Sequence, residues 1–300
     1  MADLKAVRER IKSVMSTQQI TKAMKMVSAA KLRRAQQAIT QLRPYSNKLD
    51  SMLSNLLSNL GSDANTSFGT VRPVESVCVV VVTSNRGLCG AFNTNITKSA
   101  IANINEKYST QLAAGKLTIL PIGKRGADVM RRTYPNATFI TDYVDIFSSL
   151  TSENTTRVSQ MLMNAFASKK FDAVEVSYGR FKNAGMQFAE TERFLPVLLN
   201  NNSGTTTAVA SKKRADYVFE PDQNSLLEHL IPTILHTQFL KYNLDTHASE
   251  HGARMTAMDK ATENADEMLK ALKISYNKAR QESITKELSE IVGGAAALEG

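Results

Sequence analysis

The chain has 300 residues, of which 42% are hydrophobic and 22% charged, so it can bury a core and is not a disordered polymer. Trp is absent and only 6% of residues are aromatic, which suits long helices; the net charge of +9 favours an acidic partner, whether an acidic protein surface, an anionic lipid or a nucleic acid. Cys78 and Cys89 are too few for a disulfide framework and read as reduced residues, and nowhere do about 18 apolar residues run together to suggest a membrane span or signal segment.

Leu4, Val7, Ile11 and Val14 sit at helical spacing, and after a phase shift at Thr17-Gln18-Gln19 the pattern resumes at Ile20, Met24 and Val27. Leu42, Leu49, Leu53, Leu56 and Leu60 carry a second stretch, with Pro44 predicting a kink or interruption. Gly61-Ser62-Asp63 predicts the stop, and 65–73 a linker. Val77 to Thr83 is an almost unbroken β-branched run that reads as a buried parallel strand. A loop, Ser84 to Gly90, leads into a helix from about Phe92 to Tyr108. Leu117–Ile122 predicts a second strand, Gly123–Arg132 a helix, and Ala137–Thr141 a third strand. Thr151–Lys169 predicts a helix capped by Ser152, with strands at Ala173–Tyr178 and Gln187–Phe194. The alternation argues for a small doubly wound α/β domain over 72–200.

Residues 201–215 read as a polar loop, and the last helix, capped by Asp222, lies within 216–300, with Leu226, Leu230, Ile234 and Leu244 on its early face. From Met255 onward Met258, Thr262, Ala265, Leu269, Leu272, Tyr276, Ala279 and Ser283 alternate steps of three and four. This is one seam of a coiled coil, about four heptads long and unusually small and polar. At 1.5 Å per residue the terminal helices would be roughly 85 Å and roughly 100 Å long. Neither is stable alone with such a seam exposed, so the economical arrangement pairs them antiparallel, 1–61 against 216–300, with the α/β domain inserted between them in sequence.

Gly87-Leu88-Cys89-Gly90 stands between a strand and a helix, where phosphate loops occur, yet the chain has neither GxxxxGK followed by Ser or Thr nor GxGxxG. A tight turn is the favoured reading, and nucleotide binding by a Rossmann-like protein with coiled-coil dimerisation arms is the alternative. The first helix carries Lys5, Arg8, Arg10, Lys12, Lys22, Lys25, Lys31, Arg33 and Arg34 against Glu9 alone. Such a run is either a solvated face or a docking surface for acidic groups; without interleaved aromatics or zinc spacing, nucleic acid is disfavoured. Met15, Met24, Met26, Met255, Met258 and Met268 suit core filling or a surface that re-packs. His229, His236, His247 and His251 all lie in the last helix. His247 and His251 share a face and could ligate a metal, but solvated or partner-facing histidines are the favoured reading. No catalytic Ser/His/Asp or Cys/His set can be assembled.

The two ends and the middle loop together resemble the gamma subunit of the F-type ATP synthase. The resemblance lies in LKAVRERIKSVMSTQQITKAMKMVSAAKLRRAQ from Leu4, in SNRGLCGAFN from Ser84, and in SEHGARMTAMDKATENADEMLKAL and ISYNKARQESITKELSEIVGGAAAL towards the C-terminus. It implies an α/β fold with a long antiparallel coiled coil of terminal helices and an inserted Rossmann-like domain. It also implies a non-catalytic rotor without cofactors, nucleic acid or small-molecule substrate. The implied partners are three alpha and three beta subunits, the epsilon subunit and the membrane c-ring. By the resemblance Arg8, Arg10, Lys22, Lys25, Arg254, Arg280, Gln281 and Thr285 face the alpha-beta ring, 293–298 form an apolar-sleeved tip, and Arg86, Gly87 and Gly90 belong to the α/β-domain loop. The chain departs from the family's pattern at Asn85 (usually Asp), at Met15, Ser16 and Gln19, at Lys260 (usually Asn) and at Gly252 (usually Ala). Asn85 removes a carboxylate from the loop, and Gly252 costs the helix about 1 kcal/mol relative to Ala. With Met1 directly before the first helix, the expectation is a bacterial form on the cytoplasmic face of the plasma membrane.

Overall fold

A computed structural model of the chain describes residues 4–60, 68–70, 72–197 and 223–299. The expected stop at Gly61-Ser62-Asp63, most of the linker, the loop after Asn200 and the Asp222 cap lie outside the described residues. So do the side chains of Leu53, Leu56, Leu60, Leu226, His229 and the last residues of the tip. In chain order the elements are α1 (Leu4–Leu60), β1 (Val77–Val82), α2 (Phe92–Lys107), α3 (Ser109–Ala113), β2 (Leu117–Ile122) and α4 (Lys124–Thr133). There follow β3 (Thr138–Phe139), α5 (Ser152–Ala167), β4 (Ala173–Asn183), β5 (Met186–Leu195) and α6 (Gln223–Glu299). They form two compact units: 1–29 with 254–300, and 30–253.

The second unit is built on a five-stranded sheet in the order β3-β2-β1-β4-β5. Its first four strands are parallel and β5 returns antiparallel to β4. The sheet is therefore mixed, and the β4–β5 hairpin is longer than the spacing predicts. Its outer half continues through polar residues such as Arg180, Lys182 and Asn183, where sequence alternation gives little signal. The β-branched run explains itself here. Cys78, Val80 and Val82 face a core formed with α5 and the early part of α6, while Val77, Val79 and Val81 face α2 and α4. A strand covered on both sides needs apolar residues at every position.

Several local expectations are corrected. Pro44 does not interrupt α1, which is helical on both sides of it. Thr151, not Ser152, caps α5: its extended backbone lets its hydroxyl accept from the Asn154 N–H at 3.3 Å. The third strand is only two residues long, and α3 is a short helix that carries no apolar period of its own.

The first unit pairs the start of α1 with the end of α6. The polar contacts run antiparallel, as the expected coiled coil requires: Arg8 with Tyr276, Gln18 with Asp266, Thr21 with Thr262 and Lys25 with Asp259. On α6 the predicted seam holds, for from Thr262 to Ser283 the positions that lose exposure are those of the three-four alternation. On α1 the phase shift is wrong. The heptad continues unbroken from Val14 through Gln18, Thr21, Lys25 and Ser28, while Ile20 (60% exposed) and Val27 (57%) face outward. An apolar search passes over this stretch because polar residues carry the seam there.

Candidate functional site

Thr21 and Thr262 meet across the seam with their hydroxyls 2.8 Å apart. Each also donates locally or across, Thr21 to the Gln18 carbonyl (3.0 Å) and Thr262 to the Met258 carbonyl (2.7 Å), so no hydroxyl need be left without a partner. The Arg8 guanidinium donates to the Tyr276 hydroxyl at 2.8 Å and lies 5.7 Å above the ring. Polar pairs of this kind fix register and direction at little gain in stability. Gaps in an oily seam can slip by a turn; an amide facing a carboxylate cannot.

The expected contact residues divide. Arg8 and Lys25 are engaged inside the helical pair. Arg254 is buried and engaged within the chain. Arg10, Lys22, Arg280, Gln281 and Thr285 are exposed, with the Thr285 hydroxyl donating to the Gln281 carbonyl at 2.9 Å. Beside them stand large apolar groups no polar motif would select. Ile20, Met26 and Val27 project from α1, and Ile284, Leu288, Ile291 and Val292, the last two 67% exposed, project from α6. Exposure of this extent in a helical pair marks a surface made for a partner.

In the second unit the loop after β1 is held by its own side chains. The Ser84 N–H and hydroxyl donate to Asn93 Oδ1, each at 3.0 Å. Leu88 takes a left-handed backbone (φ 63°) with its side chain exposed, and Gly90 follows at φ 59°. A hypothetical Cβ on Gly87 would stand 3.3 Å from the Arg125 guanidinium. Arg86 is exposed.

The start of α4 is closed against the end of β1 and the loop that follows it. A phosphate site there would need free amides. Instead the Lys124 N–H donates to Asn85 Oδ1 (3.2 Å), the Arg125 N–H to the Ser84 carbonyl (3.2 Å) and the Gly126 N–H to Thr83 Oγ1 (2.9 Å). A Cβ on Gly123 or Gly126 would strike Thr83 at 2.1 Å and 2.6 Å, so the two elements are closed on each other. Asn85 therefore keeps a role without its carboxylate: an amide oxygen suffices to hold α4. A Cβ on Gly252 would lie 3.1 Å from the Ala184 carbonyl, tighter than an ordinary contact.

Of the histidines read above as solvated or partner-facing, the three whose side chains are described, His236, His247 and His251, pack within the chain. His236 Nδ1 is 2.6 Å from Ser159 Oγ, and burial lowers its pKa. His251 is buried, its Nε2 3.2 Å from that of His247, which stacks against Phe147. No group of three or more His, Cys, Asp or Glu side chains that could hold a metal exists among the described residues. Both cysteines are free and buried, and burial pushes the Cys78 thiol up to about 12, which leaves it an inert core residue.

The second unit is also bound tightly to its own stretch of α6. Tyr178 from β4 and Tyr242 from α6 both donate to the Glu192 carboxylate, at 2.7 Å and 2.9 Å. The Gly179 N–H donates to Thr246 Oγ1 at 3.2 Å, and the Ser249 hydroxyl to the Gly179 carbonyl at 3.0 Å. Sequence inspection missed this joint, since isolated Tyr, Thr and Ser residues far apart in the chain carry no pattern.

A polar-seamed antiparallel helical pair, with an α/β sheet inserted in sequence between its two helices, defines a stalk-type protein. A family model described as ATP synthase matches residues 3–298. The ATP synthase gamma chain of Cytophaga hutchinsonii is 50% identical over 298 residues, covering 99% of both chains, and that of Flavobacterium psychrophilum is 48% identical over the full length of both. The chain belongs to the ATP synthase gamma-chain family. Among solved structures, a chain of the Euglena gracilis mitochondrial ATP synthase (OSCP/F1/c-ring, rotational state 3) matches with a TM-score of 0.65 at 20% identity, covering 98% of this chain and 94% of that one. One from the Tetrahymena thermophila central stalk and c-ring matches at 0.56, covering 81% and 99%. At these identities the structural matches speak for the fold.

Proposed function

We propose that the chain is the central-stalk rotor of an F-type ATP synthase, transmitting torque between a membrane c-ring and a catalytic ring of three alpha and three beta subunits, with an epsilon subunit beside it. The observation that carries this reading is the polar, register-locked helical pair, in a chain whose family is that of the gamma chain. A shaft must resist slipping along its own seam while its outer face makes and breaks contacts. The exposed Arg10, Lys22, Arg280, Gln281 and Thr285 are proposed as its outward polar contacts. Exposed pairs are individually worth about 0 to 1 kcal/mol, which suits contacts that alternate during rotation. Arg8, Lys25 and Arg254 are better suited to holding the chain together, and Arg86, Gly87 and Gly90 to shaping the loop after β1.

In this role the chain performs no chemistry. It supplies different contacts to different states of its neighbours, and that difference is what shifts their equilibria. The proposed location is peripheral, on the cytoplasmic face of a bacterial inner membrane. No helix among the described residues is long and apolar enough to cross a membrane.

The test is MgATP hydrolysis by purified alpha and beta subunits with and without this chain. A complex containing one copy per three alpha-beta pairs, with a large gain in turnover, is the expected result. Absence of both complex and gain would overturn the proposal.

A further inference from the structure

A cavity of about 340 Å³ lies inside the second unit, between α1, β4 and α6. Ile39 and Phe181 form an apolar wall, and Arg43, Arg180, Lys241 and Asp245 supply charge. Its size falls in the range of small-ligand sites, and most of its lining is polar or charged, as an ionic ligand requires. The charges are unevenly compensated. Arg180 is committed elsewhere, its Nε 2.7 Å from Glu190 and its guanidinium over the Phe188 ring. Arg43 and Lys241 are exposed at the mouth, whereas Asp245 is only 5% exposed. The mouth thus has two exposed cations and one buried carboxylate to share between them.

We propose that this cavity is a binding site for a small oxyanion of the phosphate or sulfate class, held by Arg43 and Lys241 beside the buried Asp245. Charged groups reach Asp245 from every side: Lys241 on its own helix, Arg43 from α1, Arg180 from β4 and Glu192 from β5. Burial outweighs the three cations and, together with Glu192, pushes the carboxyl up to about 6. Its charge therefore changes near neutral pH. Ionised, it offsets one of the two mouth cations and repels an anion. Neutral, it leaves both cations to the ligand and can donate its own O–H. The apolar wall leaves room for a short organic body behind a phosphoryl group.

Sulfate is the probe, because its two negative charges persist across the pH range used, and the measurement is isothermal titration of the full chain. Single-site binding should strengthen by up to about twentyfold between about pH 7.5 and about pH 5.5, as the competent fraction rises. Asp245→Asn should bind equally at both pH values. Arg43→Ala and Lys241→Ala, both at exposed positions, should each weaken binding by about tenfold or more. No sulfate binding at the lower pH would overturn the proposal. So would unchanged affinity in both cation variants, or a pH response that survives in Asp245→Asn. If Asp245→Asn does not fold by circular dichroism, the cation variants decide alone. Two further arms separate the sources of the anion. Sulfate-displaceable binding to phosphatidic acid vesicles, lost in Arg43→Ala, assigns the site to a lipid headgroup, and binding of soluble glycerol phosphate without vesicle binding assigns it to a free ligand.

Discussion

Glu192→Gln tests whether the joint between the sheet and α6 is as strong as its geometry implies. Glu192 accepts from Tyr178 at 2.7 Å and from Tyr242 at 2.9 Å, and Gln238 donates to the Tyr242 hydroxyl at 2.7 Å. Both phenols are 1% exposed. Burial first, and the Glu192 carboxylate second, keep both protonated and donating. Glutamine preserves the shape but offers one acceptor oxygen. One tyrosine keeps a neutral hydrogen bond, while the other must turn its proton away and accept from the amide. Charge assistance at two buried bonds is lost, each worth roughly 1 kcal/mol beyond a neutral bond, so the cost is roughly 2 kcal/mol. For a unit of this size that lowers the melting temperature by roughly 4–8 °C, readable by circular dichroism. In the assembled complex ATP hydrolysis should persist while proton pumping per ATP falls, because the α6 segment at the joint is then less firmly fixed to the sheet. A melting temperature within about 1 °C of the parent would refute the reasoning, since it would mean the carboxylate contributes nothing beyond an amide.

Asp172 accepts from Arg72 Nε at 2.5 Å and from the Ser76 and Glu75 N–H groups at 2.9 Å and 3.0 Å. Burial alone would raise its pKa, but the two amides and Arg72 outweigh burial and lower it. Its stabilisation is therefore present above the unfolded value of about 3.9 and is lost as pH falls through the lower folded value. Asp172→Asn should cost about 3 kcal/mol at neutral pH, and the gap should narrow in urea titrations below about pH 4. Gly126→Ala should weaken the start of α4 by about 1–3 kcal/mol, since its Cβ would meet Thr83 Oγ1 at 2.6 Å; faster amide exchange at Lys124 to Gly126 or its neighbours is the readout, and unchanged exchange would count against the closed loop. A double-mutant cycle with Thr21→Val and Thr262→Val should show coupling of about 1 kcal/mol, and strict additivity would mean the hydroxyls do not interact.

Much of this protein is legible in its sequence by itself. The run Val77 to Val82 declares a strand buried on both faces, and Met255 to Ser283 declares a helical seam, because both are local periodicities that repeat along the chain. Other features were decided only by tertiary structure. Gln18, Thr21 and Ser28 belong to the seam because α6 lies opposite, not because they are apolar; Ile20 and Val27 look outward for the same reason. Asn85 holds α4 across 39 residues of sequence, Glu192 is held by two tyrosines from different elements, and Asp245 stands among cations from α1, β4 and α6. Polar pairs of this kind leave no periodic trace, since each depends on where two distant segments meet. That meeting is set by the packing of their apolar faces, which leaves each polar group to find its partner in the folded chain.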